Sequence, residues 1–237
     1  MPNKYYQAGQ ERAAKVQDLF AAVAPRYDLI NDLQSFGLHR YWKRRLLKLA
    51  DPRPGLSALD VCCGTGDVAL AFAKAGAQVV GVDFSDSMLA IARQRSSALN
   101  VPVDWVPGDA SRLPFDAGHF DVVTVSYGLR NLADFDAGLR EMHRVAKPGG
   151  RLLVLDFGKP RHRFLRASYF AYLRCWVPLF GRMLCGDAAT YAYILESLHH
   201  YPAQEGVEAV MRQLRCEPVR VFNSLGGMMS INYGVKG

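Results

Sequence analysis

A short apolar run that breaks into a glycine-rich turn constrains this chain more than any other feature. The segment LDVCCGTGDVAL (Leu59–Leu70) carries Gly64, Gly66 and Ala69 in G-x-G-x-x-G/A spacing. A strand-like run, Ala58–Cys62, precedes it and a helix-like run, Asp67–Ala75, follows it. Glycines at such a turn let the backbone approach a ligand closely, because they carry no side chain. A second strand-like run, Gln78–Val82, ends in GVD, which places Asp83 seventeen residues after Gly66. That is the place of the acid that binds a ribose diol in a dinucleotide fold. On this pattern alone, a nicotinamide-dependent oxidoreductase stays open.

The alternation continues along the chain. Val103–Val106, Phe120–Ser126 and Arg151–Asp156 read as strands, and Ser87–Ala98 and Asp134–Ala146 as helices. This order predicts an α/β, Rossmann-like fold: a mostly parallel sheet, helices on both faces, and ligands at the carboxyl ends of the strands. Gln10–Val23 and Tyr41–Leu49 read as helices of an N-terminal cap over 1–50. The cofactor-binding core spans 51–157, and a helical, aromatic-rich insertion spans 158–202. A helix (Ala203–Leu214) and two β-like runs around Gly226-Gly227 complete 203–237. At 237 residues an α/β fold often stays a single domain.

Composition excludes other classes. Half the residues are apolar and 22% are charged, so disordered and fibrous chains are ruled out. No apolar run approaches the ~20 residues of a membrane helix, and the first residues lack the apolar core of a signal peptide. Five cysteines without C-x-x-C spacing argue against a disulfide framework or a metal site, and for a cytoplasmic location. The net charge of +7 is local: Arg40–Lys48 and Lys159–Arg182 hold eleven basic residues and no acid. That suits a surface meeting anionic lipid head groups or RNA, or simply two solvated helix faces.

The acids choose between cofactors. Asp60 and Asp67 flank the glycine loop, where a pyrophosphate would be repelled and a cationic, phosphate-free ligand favoured. S-adenosylmethionine is such a ligand. In PGDASRLPF (Pro107–Phe115), Asp109 is placed to accept from an adenine amino group, with the Ala110 N–H beside it, and Met88 is placed to pack on the adenine face. With Asp60, Gly64, Gly66 and Asp83, these residues resemble the class I S-adenosylmethionine-dependent methyltransferases, whose sheet ends in an antiparallel strand. The [Asp/Asn]-Pro-Pro-aromatic element of amino-methylating nucleic-acid enzymes is missing after the fourth strand, where Ser126–Asn131 reads SYGLRN. No nucleic-acid partner is expected.

Three blocks narrow the resemblance: YDLINDLQSFGLHRYWK (Tyr27–Lys43), SYGLRN with RVAKPGG (Ser126–Gly150), and LGGMMSINYGVK (Leu225–Lys236). With the glycine loop they resemble the ubiquinone/menaquinone biosynthesis C-methyltransferases over nearly the whole chain. The resemblance implies methylation of a ring carbon of a polyprenylated quinol by S-adenosylmethionine, without a metal. It implies Thr65, Asp83, Asp109, Ala110 and Ser126 as cofactor contacts, and Arg130 and Asn131 nearest the ring chemistry. Demethylmenaquinol is the expected substrate, with a methoxybenzoquinol of ubiquinone synthesis as the alternative.

An arginine stays protonated, so Arg130 is expected to hold an oxyanion or a water while another group takes the proton. His199, His200, Tyr27 and Tyr193 are the candidates. Arg130 pairing with Asp134 and merely bracing its loop is the competing expectation. The interleaved arginines and aromatics of Arg163–Cys185 suit an interfacial membrane element, a lid over a prenyl channel, or a plain helical cap. Peripheral membrane contact is expected, and a homodimer stays open.

Overall fold

β1 (Ser57–Val61), the strand predicted before the glycine loop, lies inside a seven-stranded sheet with the order β3-β2-β1-β4-β5-β7-β6. The computed structural model describes residue 24 and residues 27–179 and 189–237. The helix expected at Gln10–Val23, and residues 180–188 of the insertion, lie outside the described residues. β1 pairs in parallel with β2 (Gln78–Asp83) and β4 (Phe120–Ser126). β2 pairs in parallel with β3 (Asp104–Pro107), and β4 with β5 (Ala146–Phe157). β7 (Met229–Lys236) runs antiparallel between β5 and β6 (Cys216–Ser224). The final pair thus supplies the expected antiparallel edge.

The central strands β1, β4 and β5 carry largely buried runs because both faces of the sheet are covered there. In β5, Leu152 and Val154 belong to one core cluster, and Leu153 and Leu155 to the other. α3 (Asp67–Lys74), α4 (Asp86–Leu99) and α5 (Phe135–Val145) follow β1, β2 and β4. The Ser85 hydroxyl caps α4 by accepting from the Met88 N–H, and Asp134 caps α5 by accepting from the N–H groups of Asp136 and Ala137.

The N-terminal cap differs from expectation. Tyr27–Ser35 forms a helix (α1), and the helix read from Tyr41 starts earlier, as α2 (Leu38–Ala50). Only Ile30 of α1 is buried, while Leu29 and Leu33 stay exposed. Phe36 and Gly37 join the two helices with φ of 50° and 73°. The insertion contributes α6 (Arg163–Cys175) and α7 (Ala189–His200), followed by α8 (Ala203–Gln213). β5 extends five residues before the predicted start at Arg151 because Ala146 pairs with Phe120 ahead of a register shift.

The basic run on α2 is less exposed as charge than the sequence suggests. Lys43 pairs with Asp67, Arg40 pairs with Asp32, and the Arg45 guanidinium lies over the Phe222 ring. The acids that answer Arg40 and Lys43 come from α1 and α3.

Candidate active site

The carboxyl ends of the parallel strands bring most of the predicted site residues together, as a doubly wound sheet requires. Two cavities lie side by side there. The smaller, about 170 Å³, is lined by Gly64, Asp83, Met88, Asp109, Ala110 and Ser126, among others. The larger, about 220 Å³, is mostly apolar and contains Arg130 in its wall. Tyr27 and Tyr127 line both, and Asn131 lines the smaller.

Each wall residue of the smaller cavity is fixed by its local fold. Gly64 takes φ of 55°, and its N–H donates to Asp83 Oδ2 at 2.8 Å. The other Asp83 oxygen accepts from the Ser85 N–H at 2.9 Å. Burial raises the Asp83 carboxyl above its ordinary range against these bonds. Asp109 is exposed and accepts from the Ser111 N–H at 2.8 Å. Ser126, at the end of β4, has a buried hydroxyl with no hydrogen-bond partner among the described residues, an atom that a ligand in this cavity would satisfy. Met88 is buried against the same wall.

Three expected cofactor residues stand behind the wall. Thr65 is buried, and its hydroxyl donates to Asp28 of α1 at 2.9 Å. Gly66 faces the Trp105 ring: a Cβ there would lie 2.5 Å from Trp105 Cη2. Asp60 is buried within the sheet, where it accepts from the Thr124 hydroxyl at 2.8 Å. Burial pushes the Asp60 carboxyl up to about 7 despite that bond, so it is only partly ionised at neutral pH. Asp67 differs. Burial opposes its charge, but Lys43 at 2.7 Å and Arg95 at 2.5 Å hold its carboxyl down to about 2. Two free carboxylates beside the loop, as the sequence suggests, are therefore not what the fold presents: one is buried and only partly ionised, and the other is doubly paired.

Cys62 lies beyond β1 rather than in it, at φ of 53°. Burial pushes its thiol well above the usual range, which leaves it no nucleophile. Its side chain explains Gly128 in the SYGLRN block, since a Cβ at 128 would fall 2.4 Å from Cys62 Cβ. Tyr127 takes φ of 62°, a strained conformation for an aromatic residue, and its carbonyl accepts from Arg130 Nη1 and from Asn131 Nδ2.

Arg130 is 4% exposed. Its partner is Asp156 at the end of β5, with Nη1 to Oδ1 at 2.9 Å, and not Asp134, which is committed to capping α5. The Arg130 backbone N–H donates to the other Asp156 oxygen at 3.1 Å. Nη2 donates to the Tyr193 hydroxyl at 3.2 Å, and the guanidinium lies 4.6 Å from the centre of the Phe157 ring. Burial alone would weaken the cation, but Asp156 beside it raises its pKa further. Arg130 is therefore a fixed positive charge at the end of an apolar cavity.

Of the expected proton acceptors, His199 and His200 are exposed and line neither cavity. Tyr193 and Tyr27 line the larger one, and burial raises both phenols. Sequence reasoning missed His39, which is buried on the same wall with Nε2 2.7 Å from Asp32 Oδ1. The seven-residue spacing of the two was visible, but it acquires meaning only when α1 and α2 fold back on each other.

Solved structures share this architecture. The chain superposes with PH0226 from Pyrococcus horikoshii at a TM-score of 0.64 and 19% identity, covering 90% of this chain and 96% of that one. A SAM-dependent methyltransferase from Aquifex aeolicus gives 0.61 and 17%, covering 89% and 98%. The fold, with its two cavities at the strand ends, is the one that this S-adenosylmethionine-dependent enzyme adopts. Residues 8–236 match the model of the ubiE/COQ5 methyltransferase family, and the chain belongs to that family. A "Ubiquinone/menaquinone biosynthesis C-methyltransferase UbiE" of Ectopseudomonas mendocina is 43% identical over 231 residues, 95% of this chain and 90% of the relative. Its namesake from Shewanella frigidimarina is 40% identical over 95% of this chain and 92% of its own length. The family sets aside the oxidoreductase that the glycine loop left open.

Proposed function

We propose that this chain methylates a ring carbon of a polyprenylated quinol, and that the quinol is a demethylmenaquinol converted to menaquinol. The observation that carries the reading is the pair of cavities meeting at Tyr27 and Tyr127, one edged by Asp83, Asp109 and Ser126, the other apolar with a buried cation. The relatives' names, which cover both quinone pathways, support C-methylation in quinone biosynthesis.

When bound, S-adenosylmethionine supplies a methyl group on a sulfonium, an electrophile. Asp83 accepts from the ribose hydroxyls with the lone pairs its two backbone bonds leave over. Asp109 and the Ala110 N–H read the adenine edge, Met88 packs on its face, and Ser126 gives its unpartnered hydroxyl. Gly64 leaves room at the wall. Thr65, Gly66 and Asp60 act from behind by holding the loop and strand in place. Arg130 stabilises the ring oxygen as it becomes anionic, and Asn131, lining the donor cavity beside it, fixes the turn that presents the guanidinium. Bringing the ring carbon in line with the donor contributes several kcal/mol by positioning alone.

Quinone profiling of cells lacking the protein tests the substrate. Accumulated demethylmenaquinone supports the reading, and accumulated methoxybenzoquinone moves the enzyme to the ubiquinone pathway. Asp83→Ala should weaken S-adenosylmethionine binding at least about tenfold, on the order of 1.4 kcal/mol. Calorimetry showing full affinity in a variant with an unchanged melting curve would displace the cofactor site.

We place the prenyl chain in the apolar cavity, with α6 as part of its wall. Tyr169 and Leu173 face inward, while Arg163, Phe164, Arg166 and Arg174 are exposed, Phe164 by 70%. No helix among the described residues is long and apolar enough to cross a membrane, and we assign peripheral membrane contact to this outer face on its exposed arginines and Phe164. Changing Arg163, Arg166 and Arg174 together to Gln should reduce binding to anionic vesicles, since each such charge contributes about 1 kcal/mol at a lipid surface. Turnover of a short-chain quinol should survive. Vesicle binding equal to that of the parent would leave α6 as a structural wall only.

A further inference from the structure

The apolar cavity holds more polarity in its wall than quinol packing explains. Three residues that line it each keep a buried side-chain atom with no hydrogen-bond partner among the described residues: His39 Nδ1, Gln34 Nε2 and the Tyr127 hydroxyl. Burying a polar group without a partner costs about 1–3 kcal/mol, and native proteins tolerate few such groups. Of the three, only an imidazole takes up a proton near neutral pH.

The surroundings of His39 select its tautomer. Asp32 of α1 is held by Arg40, whose Nε lies 2.7 Å from Oδ1. The hydrogen bonds from Arg40 and then His39 lower the Asp32 carboxyl to about 2, so it is ionised. An ionised Asp32 can only accept, which places the hydrogen of His39 on Nε2 and leaves the lone pair on Nδ1. This is the carboxylate–imidazole arrangement that general bases use in hydrolases, here with Nδ1 as the basic atom. The other charged groups acting on the ring are Lys43, on its own helix, and Asp67 of α3. Burial outweighs the Asp32 hydrogen bond and lowers the His39 pKa, so the ring is neutral and ready to accept at pH 7.

We propose that His39, oriented by Asp32, is the general base that takes the proton from the ring hydroxyl of the quinol, while Gln34 and Tyr127 donate hydrogen bonds to the ring oxygens. The assignment rests on the quinol reading above. The hydroxyl O–H bond breaks, its electron pair stays on oxygen, and the proton joins the Nδ1 lone pair to give an imidazolium. The ring carbon, enriched by that oxygen, forms the new C–C bond to a methyl group that arrives without its bonding pair. The methylated carbon then loses its C–H proton to water, the ring becomes aromatic again, and the imidazolium returns its proton to the oxygen. One proton leaves per turnover, and His39 is regenerated.

The test uses the full chain, a short-chain demethylmenaquinol, and a nitro-substituted naphthol whose anion absorbs at longer wavelength. In the parent, turnover should rise with pH along a limb set by His39, and the bound naphthol should ionise at lower pH than in buffer. His39→Asn should lower turnover about 100-fold or more, remove that limb and reduce the spectral shift to what the Arg130 cation alone sustains, with S-adenosylmethionine affinity within about threefold. Asp32→Asn should lower turnover about tenfold or more and move the limb to lower pH, because the carboxylate no longer stabilises the imidazolium. A folded His39→Asn variant with turnover within threefold and the limb intact overturns the proposal. If His39→Asn does not fold, an unmoved limb in Asp32→Asn overturns it instead. Failure of the underlying quinol reading looks different: the parent itself would bind S-adenosylmethionine and methylate neither quinol class.

Discussion

Arg130→Ala should lose both stability and turnover, and the two losses separate by one further substitution. The guanidinium is the buried counter-charge of Asp156, which also accepts the Arg130 backbone N–H. Removing it strands a carboxylate among apolar side chains, a change that typically costs about 3–5 kcal/mol. For a chain of this size that corresponds to a fall in melting temperature of about 6 °C or more. Turnover should fall by about 2–4 kcal/mol of transition-state stabilisation, as expected when a donor to a developing oxyanion is lost. Cofactor affinity should stay within about threefold, since Arg130 lines the apolar cavity and not the one edged by Asp83.

The double variant Arg130→Ala/Asp156→Asn removes the stranded charge. It should recover much of the melting temperature and little of the turnover, because stability belongs to the pair and the chemistry to the cation alone. Arg130→Lys should keep the charge yet recover little, since a point charge cannot span Asp156 and Tyr193 as the planar fork does. Turnover restored along with stability in the double variant would reduce Arg130 to a brace for the Tyr127 turn.

The division between what the sequence disclosed and what it hid has a physical pattern. Strands and helices of the core were legible because each is specified locally: LLVL in β5 must be apolar at every position to fill both faces, and Ser85 caps α4 from within its own turn. Asp83, Asp109 and Ser126 were legible because a doubly wound sheet delivers the residue after each strand to one edge. The partner of Arg130 was not. The near acid, Asp134, is used by its own helix, and Asp156 arrives through the pairing of β4 with β5. Likewise α1 buries only Ile30, and His39 gains its place from Asp32 across the left-handed link at Phe36 and Gly37. Contacts between elements distant in sequence leave no local signal. The partners of Arg40 and Lys43 in the basic run on α2 were hidden for the same reason, since Asp32 and Asp67 lie on other helices.

Gly66→Val should unfold the loop rather than crowd the cofactor. Glycine at this spacing invites the reading that a side chain would occupy ligand space, but a Cβ on Gly66 meets Trp105 Cη2 at 2.5 Å and Ala92 Cβ at 3.3 Å. Trp105 cannot step aside freely. Its indole N–H donates to Ser96 Oγ at 3.1 Å, and Gly81 of β2 leaves no room on its other contact, where a Cβ would fall 2.5 Å from the ring. The backbone at Gly66, with φ of 86°, adds strain for a β-branched residue. Overpacking costs about 1–3 kcal/mol and the left-handed conformation about 1–2 more, so the melting temperature should drop by several degrees at least. Gly64 makes the contrast. It lines the donor cavity, and a Cβ added there meets nothing within 4 Å. Gly64→Leu should therefore keep the fold at the cost of the backbone strain alone, while its side chain takes up space in the cavity and lowers S-adenosylmethionine affinity at least about tenfold. Melting curves and calorimetry on the two variants read the roles directly. A stable Gly66→Val that has lost its cofactor, beside a Gly64→Leu that binds normally, would reverse the two assignments and move the methyl donor to the Trp105 side of the loop.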